Sequence, residues 1–238
     1  MLTLTEEVLE RAGIAETAQK LEQLEAYRAG ILEWNKKVNI TKITDPEEFE
    51  IKHYLDAFSI LESPEFVRAE TVIDIGTGGG FPGVPLAIAA PEADFTLVDS
   101  TAKKLRIIDR LTAELGLRNV KTVHARAEDL ARRPEHREQY DLCVTRAVAN
   151  LNTLAEICLP FLCYGGALAA FKGSRAAEEV AAAGDAIYCL GGDIDRIEPV
   201  LPENGLSHHI IYILKEGETP DAYPRGQGKP FKEPLLKK

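Results

Sequence analysis

Val72-Ile73-Asp74-Ile75-Gly76-Thr77-Gly78-Gly79-Gly80-Phe81-Pro82-Gly83 runs from an apolar stretch into a turn carrying four glycines between positions 76 and 80. The apolar stretch reads as a strand, and Pro82 to Ala90 as a helix. Glycine lets a backbone turn sharply and approach a ligand with no Cβ in the way, but ordering it is entropically expensive, so a plain turn has no need of so many. A glycine-rich turn between strand and helix is the usual ligand crevice of an open α/β sheet.

Outward from this point the same alternation continues. Phe95 to Asp99 reads as a second strand, followed by a helix from about Ala102 to Leu115. Val120 to His124, Asp141 to Thr145 and Gly166 to Phe171 read as further strands, with a helix around Asn152 to Leu162 between the last two. The strand interiors are almost continuously apolar, as expected where helices cover both faces. Ile194 to Val200 and His208 to Leu214, separated by Pro202-Glu203-Asn204-Gly205, suggest an antiparallel pair closing the sheet. The expected fold is α/β, a doubly wound, mostly parallel, Rossmann-like sheet.

Upstream, Leu21, Leu24, Ile31, Leu32 and Trp34 recur at helical spacing, and a second helix is expected from Pro46 after Asp45. Residues 1–65 are therefore expected to form a helical cap, 66–217 the sheet domain and 218–238 a tail. The last twenty residues, Thr219 to Lys238, are rich in Pro and Gly and carry net charge +3 on a chain of net −10. They read either as a disordered terminus or as an extended arm that meets phosphate. The overall acidity argues against a protein that grips nucleic acid over its whole surface. No run approaches the roughly 20 apolar residues of a membrane span, and the opening MLTLTEEVLERAGIAE is acidic, so the expectation is a cytoplasmic chain. Cys143, Cys158, Cys163 and Cys189 lie in apolar stretches without Cys-x-x-Cys pairing and read as buried thiols; no metal site is expected.

Two registers fit the glycine loop. Gly78-x-Gly80-x-x-Gly83, with Asp99 nineteen residues beyond Gly80, matches the dinucleotide fingerprint of an NAD-dependent oxidoreductase. Asp74-x-Gly76-x-Gly78-x-Gly80 matches the pattern of methyltransferases that use a sulfonium cofactor. The chemistry favours the second. A pyrophosphate wants free helix N-terminal N–H groups and no adjacent carboxylate, whereas Asp74 precedes the loop and Pro82 and Pro85 remove donors from the helix start. Asp99 suits ribose hydroxyls in either case.

At these residues the chain resembles the bacterial small-subunit ribosomal RNA guanine-N7 methyltransferases, the glucose-inhibited division protein B family. The resemblance covers almost the whole length. It includes Trp34 to Thr41, His53-Tyr54-Leu55-Asp56-Ala57, Asp74 to Leu86, Leu97 to Ser100, Arg126-Ala127-Glu128, Thr145-Arg146-Ala147, Phe171-Lys172-Gly173 and the tail around Tyr223-Pro224-Arg225-Gly226. It implies a class I methyltransferase fold using S-adenosylmethionine, acting on a guanine of 16S ribosomal RNA near the decoding centre, in free rRNA or in the small ribosomal subunit. The cofactor contacts it implies are Gly76 and Gly78 in the loop, Phe81, Asp99-Ser100-Thr101, Ala127-Glu128 and Arg146. A non-catalytic RNA-binding or ribosome-assembly module is the further alternative.

Guanine N7 carries a lone pair and no proton, so attack on a sulfonium methyl needs positioning rather than a general base. No catalytic base is therefore assigned. Candidate substrate contacts are Asn39, His53 and Asp56 in the cap, Arg146 after the fourth strand, and Lys172 and Arg175 after the fifth. A guanidinium at the sheet edge can hold guanine O6 or a phosphate oxygen. His208 and His209 are expected on opposite faces and make a poor metal site.

Overall fold

The computed structural model of the chain describes residues 2–200 and 208–235. Helices α1 (Thr3–Arg11) and α2 (Thr17–Asn35) lead into α3 (Pro46–Phe49), a π-helical stretch Glu50–Leu55, α4 (Asp56–Phe58) and α5 (Pro64–Arg68). The strand–helix alternation follows: β1 (Thr71–Ile75), α6 (Gly83–Ala89), β2 (Asp94–Asp99), α7 (Ala102–Glu114), β3 (Val120–His124), α8 (Ala127–Leu130), β4 (Tyr140–Arg146), α9 (Leu151–Cys158), β5 (Leu162–Lys172), α10 (Ala176–Cys189), β6 (Gly192–Pro199), β7 (His209–Lys215) and α11 (Lys229–Lys232). The start of the second expected helix is set as the sequence suggests. Asp45 Oδ1 accepts from the N–H groups of Glu47 and Glu48, and Pro46 takes the first turn, where its missing N–H does no harm.

The strands form one seven-stranded sheet in the order β3-β2-β1-β4-β5-β7-β6. β1 to β5 pair in parallel, while β7 pairs antiparallel with both β5 and β6. The helix around Asn152 to Leu162 is shorter than expected: it gives way to a 3-10 turn at Leu159–Phe161, where Pro160 lacks the N–H a longer helix needs. The expected turn at residues 202 to 205 lies outside the described residues. Among the cysteines, Cys143 and Cys158 are buried, but Cys163 is half-buried and Cys189 exposed; all four are free thiols.

Alternate side chains along each strand enter two separate apolar clusters. Val72, Leu142, Val144, Ala167, Ala169 and Phe171 face one, and Ile73, Ile75, Cys143, Leu168 and Ala170 the other. The first cluster also holds Leu9, Leu24, Tyr27, Ile31 and Phe49, so the N-terminal helices pack on the sheet and have no core of their own. Among the described residues no helix is long and apolar enough to cross a membrane.

The C-terminal segment departs from the expectation of an extended arm. Thr219 is buried: its hydroxyl donates to Leu190 O at 2.8 Å and its N–H to Glu138 Oε1 at 3.0 Å. Beneath it Lys215, 1% exposed, bonds Glu138, Leu159 O and Thr219 Oγ1. Arg137 donates to the carbonyls of Thr219 (2.6 Å) and Tyr223 (3.0 Å), and Arg132 to that of Pro224. Arg225 grips Glu156, whose side chain is fully buried in α9, through Nε (2.8 Å) and Nη2 (2.7 Å). Thr153 Oγ1 then donates to Pro230 O at 2.8 Å and Asn152 bonds Leu235 O. Residues 219–235 thus form a strap across α8 and α9. Backbone carbonyls at turns, which no strand or helix uses, are what its arginine partners satisfy.

Candidate functional site

The carboxyl ends of β1, β2 and β3 open into a crevice lined by Ile75, Gly76, Val98, Asp99, Ser100 and the segment Ala125–Glu128, with Val148, Ile157 and Phe231 completing it. Two carboxylates shape its glycine loop. Asp99 Oδ2 accepts from the Gly78 N–H (2.9 Å) and Oδ1 from the Thr101 N–H (2.8 Å), fastening the loop to the end of β2. Asp74, fully buried, accepts through Oδ2 from Thr77 Oγ1 (2.7 Å) and from the Gly83 N–H (3.0 Å). Burial raises its pKa to about 6, and Oδ1 has no partner among the described residues. The first helical N–H of α6 is therefore committed to a carboxylate, which leaves a poor cradle for pyrophosphate.

Gly76 lies in the left-handed region at φ 76°, and a Cβ there would stand 2.4 Å from Val148 Cγ2. Only glycine meets both demands, and the backbone at the crevice floor stays bare. Glu128, 2% exposed at the first turn of α8, lines the crevice, and no donor reaches its carboxylate among the described residues. An acceptor in that state suits a ligand amino group.

A second cleft, about 500 Å³, adjoins the turn after β4 and is lined by Ile43, Lys52, His53, Asp56, Arg146, Ala147, Phe171, Lys172, Gly173, Glu179 and His208. Arg146 and Ala147 face this cleft while Val148 faces the crevice, so one turn, with Ala147 at φ 56°, separates the two. Arg146 is its hub. Nη1 donates to Asp56 Oδ2 (2.7 Å) and Lys52 O (2.8 Å), and Nη2 to His53 Nδ1 (2.9 Å). Burial, reinforced by the adjacent guanidinium, pushes the His53 pKa down to about 3. Asp56 Oδ1 takes a further bond from His208 Nδ1 at 3.0 Å. Burial alone would raise the Asp56 pKa, but the bonds from His208 and Arg146 outweigh it and hold the carboxyl below its usual range.

The residues singled out in the sequence are thus divided. Gly76, Asp99, Ser100, Ala127 and Glu128 meet in the crevice; Gly78 and Thr101 serve as donors to Asp99. Phe81 does not line it. Its ring, 5% exposed, stacks on His53 at 4.1 Å and meets Tyr27 and Phe49 edge-on. Arg146, His53 and Asp56 meet in the second cleft. Lys172 lines that cleft but is paired with Glu179 (2.7 Å) and bonds Ala149 O. Arg175 and Asn39 are exposed, Arg175 beside Asn150 and Glu179. Among the described residues no group of His, Cys, Asp or Glu is arranged to hold a metal ion.

Several contributors carried no isolated signal. Asn35 closes the turn before the cleft, its Oδ1 accepting from the Ile40 and Thr41 N–H groups, and Thr41 Oγ1 contacts His53 Nε2 at 3.0 Å. His208 reaches Asp56 from the other end of the chain, and Phe231 enters the crevice from the strap.

The sequence profile of the rRNA small subunit methyltransferase G (GidB) family matches residues 20–203. The chain belongs to that family. It is 44% identical over 220 residues to the ribosomal RNA small subunit methyltransferase G of Alkaliphilus oremlandii, spanning 92% of each chain. It is 42% identical to that of Halalkalibacterium halodurans, over 95% of this chain and 96% of the relative. In fold it resembles a SAM-dependent methyltransferase from Aquifex aeolicus (TM-score 0.53, 19% identity, 74% of this chain and 97% of that one). A fibrillarin pre-rRNA processing protein of Methanococcus jannaschii is similar at TM-score 0.57 and 17% identity, over 71% and 76% of the two chains. The doubly wound, mostly parallel sheet read from the strand pattern is the one observed, and so is the class I methyltransferase fold implied by the family resemblance.

Proposed function

We infer that this family member transfers a methyl group from S-adenosylmethionine to N7 of a guanine in 16S ribosomal RNA near the decoding centre. The observation that carries it is the family match across residues 20–203, which spans both the glycine-loop crevice and the Arg146 cleft. S-adenosylmethionine supplies an electrophilic methyl on sulfur. The residues present fit it: bare backbone at Gly76, the Asp99 carboxylate at the end of β2, and the unpartnered Glu128 carboxylate near the adenine position. Residues 66–217 hold the cofactor in this reading, and residues 1–65 supply one wall of the substrate cleft through Ile43, His53 and Asp56.

N7 attacks with its own lone pair, so the protein needs no proton acceptor there. What the cleft supplies is a fixed shape and a fixed charge pattern. Arg146 is held by three protein acceptors and presents its remaining N–H groups, the donors a guanine O6 or phosphate would accept from. His53 is neutral and stacked, and acts as a spacer between Phe81 and Arg146. The second reading, an NAD-dependent oxidoreductase, is disfavoured by Asp74 and its hold on Gly83. An rRNA substrate supports a location beside ribosomes, in the cytoplasm.

The test is methyl transfer from labelled S-adenosylmethionine to free 16S rRNA and to small subunits, with the product nucleotide mapped by cleavage specific for N7-methylguanine. A single labelled guanine is the expected result. Label on another base or nitrogen, or none on either substrate, would remove this assignment.

A further inference from the structure

Phe231 is a large apolar side chain left 43% exposed, yet it belongs to a segment that is tied down on both sides. Upstream, Arg225 is locked to Glu156 and Pro230 O accepts from Thr153 of α9; downstream, Leu235 O accepts from Asn152 of the same helix. Pro230 itself is buried, so α11 sits on α9 as a fixed plate. The ring borders the same crevice as Asp99, Ser100, Ala127 and Glu128. With Ile157 it gives that crevice apolar surface from α9 and α11, where the other walls come from strand ends, their loops and the first turn of α8. The family profile ends at residue 203, before the strap begins.

We propose that Phe231 is a cofactor-binding residue: its ring is the apolar wall for the adenine of S-adenosylmethionine, and the C-terminal strap exists in part to hold it there. The proposal rests on reading the crevice as the cofactor site. Size supports it. The crevice is about 260 Å³, below the roughly 300–1,000 Å³ usual for small-molecule sites, so a nucleoside-sized occupant fills it and touches its lining. Chemistry supports it too. A purine needs acceptors for its amino group and ribose and an apolar face for its ring. Glu128 and Asp99 supply the first, Ile157 and Phe231 the second. Being part-exposed, Phe231 loses water-facing surface when a base covers it, as aromatic platforms for bases do.

The experiment compares Phe231→Ala and Asp99→Ala with the unaltered protein, using calorimetric binding of S-adenosylhomocysteine and of adenosine. The expected result is a loss of about tenfold for both ligands in Phe231→Ala, the size given by removing one base–aromatic stack. Thermal stability should be unchanged, since the ring fills no core. A Phe231→Trp variant made in a Trp34→Phe background places the sole tryptophan at the crevice. Its fluorescence should be quenched by adenosine and by S-adenosylhomocysteine, and not by methionine. If Phe231→Ala binds normally while Asp99→Ala is weakened, Phe231 has no such role and the crevice reading stands. If neither substitution weakens binding, the crevice is not the cofactor site and the proposal falls with it. A quench by methionine but not by adenosine would place the other end of the cofactor at the strap and would also overturn it.

Discussion

Arg146 can only donate hydrogen bonds, and that constraint fixes the protonation of its neighbours. His53 Nδ1 must accept from it, so the imidazole proton sits on Nε2 and is donated to Thr41 Oγ1. With its pKa pushed down to about 3, chiefly by burial, His53 stays neutral across the working range. Nitrogen-15 NMR of the imidazoles should show one ring as the Nε2–H tautomer with no titration between pH 5 and 8; a midpoint near 6.5 for His53 would contradict this. A neutral buried histidine contributes stability that is present above its unfolded pKa of about 6.5 and lost as pH falls from there toward 3. His208 has the opposite sign. Its bond to Asp56 raises its pKa, so its contribution is complete below about 6.5 and fades as pH rises through the folded value. Thermal melts from pH 6 to 9 should therefore decline less in His208→Gln than in the unaltered protein, and an identical decline would show that the pair does not matter. In the crevice half of this site Gly76 and Asp99 are legible because each stands at the end of a strand whose apolar run is easy to see, whereas Glu128 is marked only by the family resemblance and by itself reads as a surface charge at a helix start. The cleft half was legible only as residues without partners. His53 and Asp56 meet Arg146 across about 90 residues of chain, a distance over which spacing says nothing.

At the scale of elements, the strap depends on one buried ion pair. Glu156 is fully buried and receives the Arg225 N–H as well as its guanidinium. Arg225→Ala leaves that carboxylate uncompensated, which typically costs about 3–5 kcal/mol and, for a chain of this size, lowers Tm by about 10 °C. Differential scanning calorimetry together with the rate of tryptic cleavage after residue 215 would measure it; a Tm within about 2 °C of the unaltered protein would mean that the other anchors suffice. The order of the tail is not legible in the sequence because its prolines and glycines resemble those of a disordered terminus, while the side chains that hold it lie on α9 and in the segment that follows α8. The parallel strands were legible to within a few residues because burial on both faces leaves unbroken apolar runs. α10 is not legible in the sequence for a related reason: Ala-Ala-Glu-Glu-Val-Ala-Ala-Ala-Gly-Asp buries alanines, which mark no stripe among small residues. The π-helical stretch Glu50–Leu55 is indistinguishable from ordinary helix in the sequence, since the apolar positions of one fit the other over so short a span.

For the molecule as a whole, net charge −10 gives no long-range attraction toward RNA, and binding has to rest on a few local cations. Several basic groups are already committed internally: Lys172 to Glu179, Lys215 to Glu138, Arg225 to Glu156. Arg175, exposed on the rim next to the cleft, is the better candidate for phosphate. Arg175→Glu should weaken rRNA binding and reduce the slope of log affinity against log salt by about 0.7–0.9, leaving S-adenosylhomocysteine affinity alone. A salt series on both proteins decides it, and equal slopes would clear Arg175 of any phosphate contact. The strand order has a consequence of another kind, for synthesis. β6 is made before β7, yet β7 is the strand that lies between it and β5. On a growing chain β6 therefore has no neighbour in the sheet, and the apolar edge of β5, Leu168 to Phe171, stays open until His209–Lys215 has been translated. An open edge of that kind pairs readily with other chains. A chain released after β5 is complete but before residue 209 therefore carries an unpaired apolar sheet edge, and it is expected to aggregate rather than to work in part.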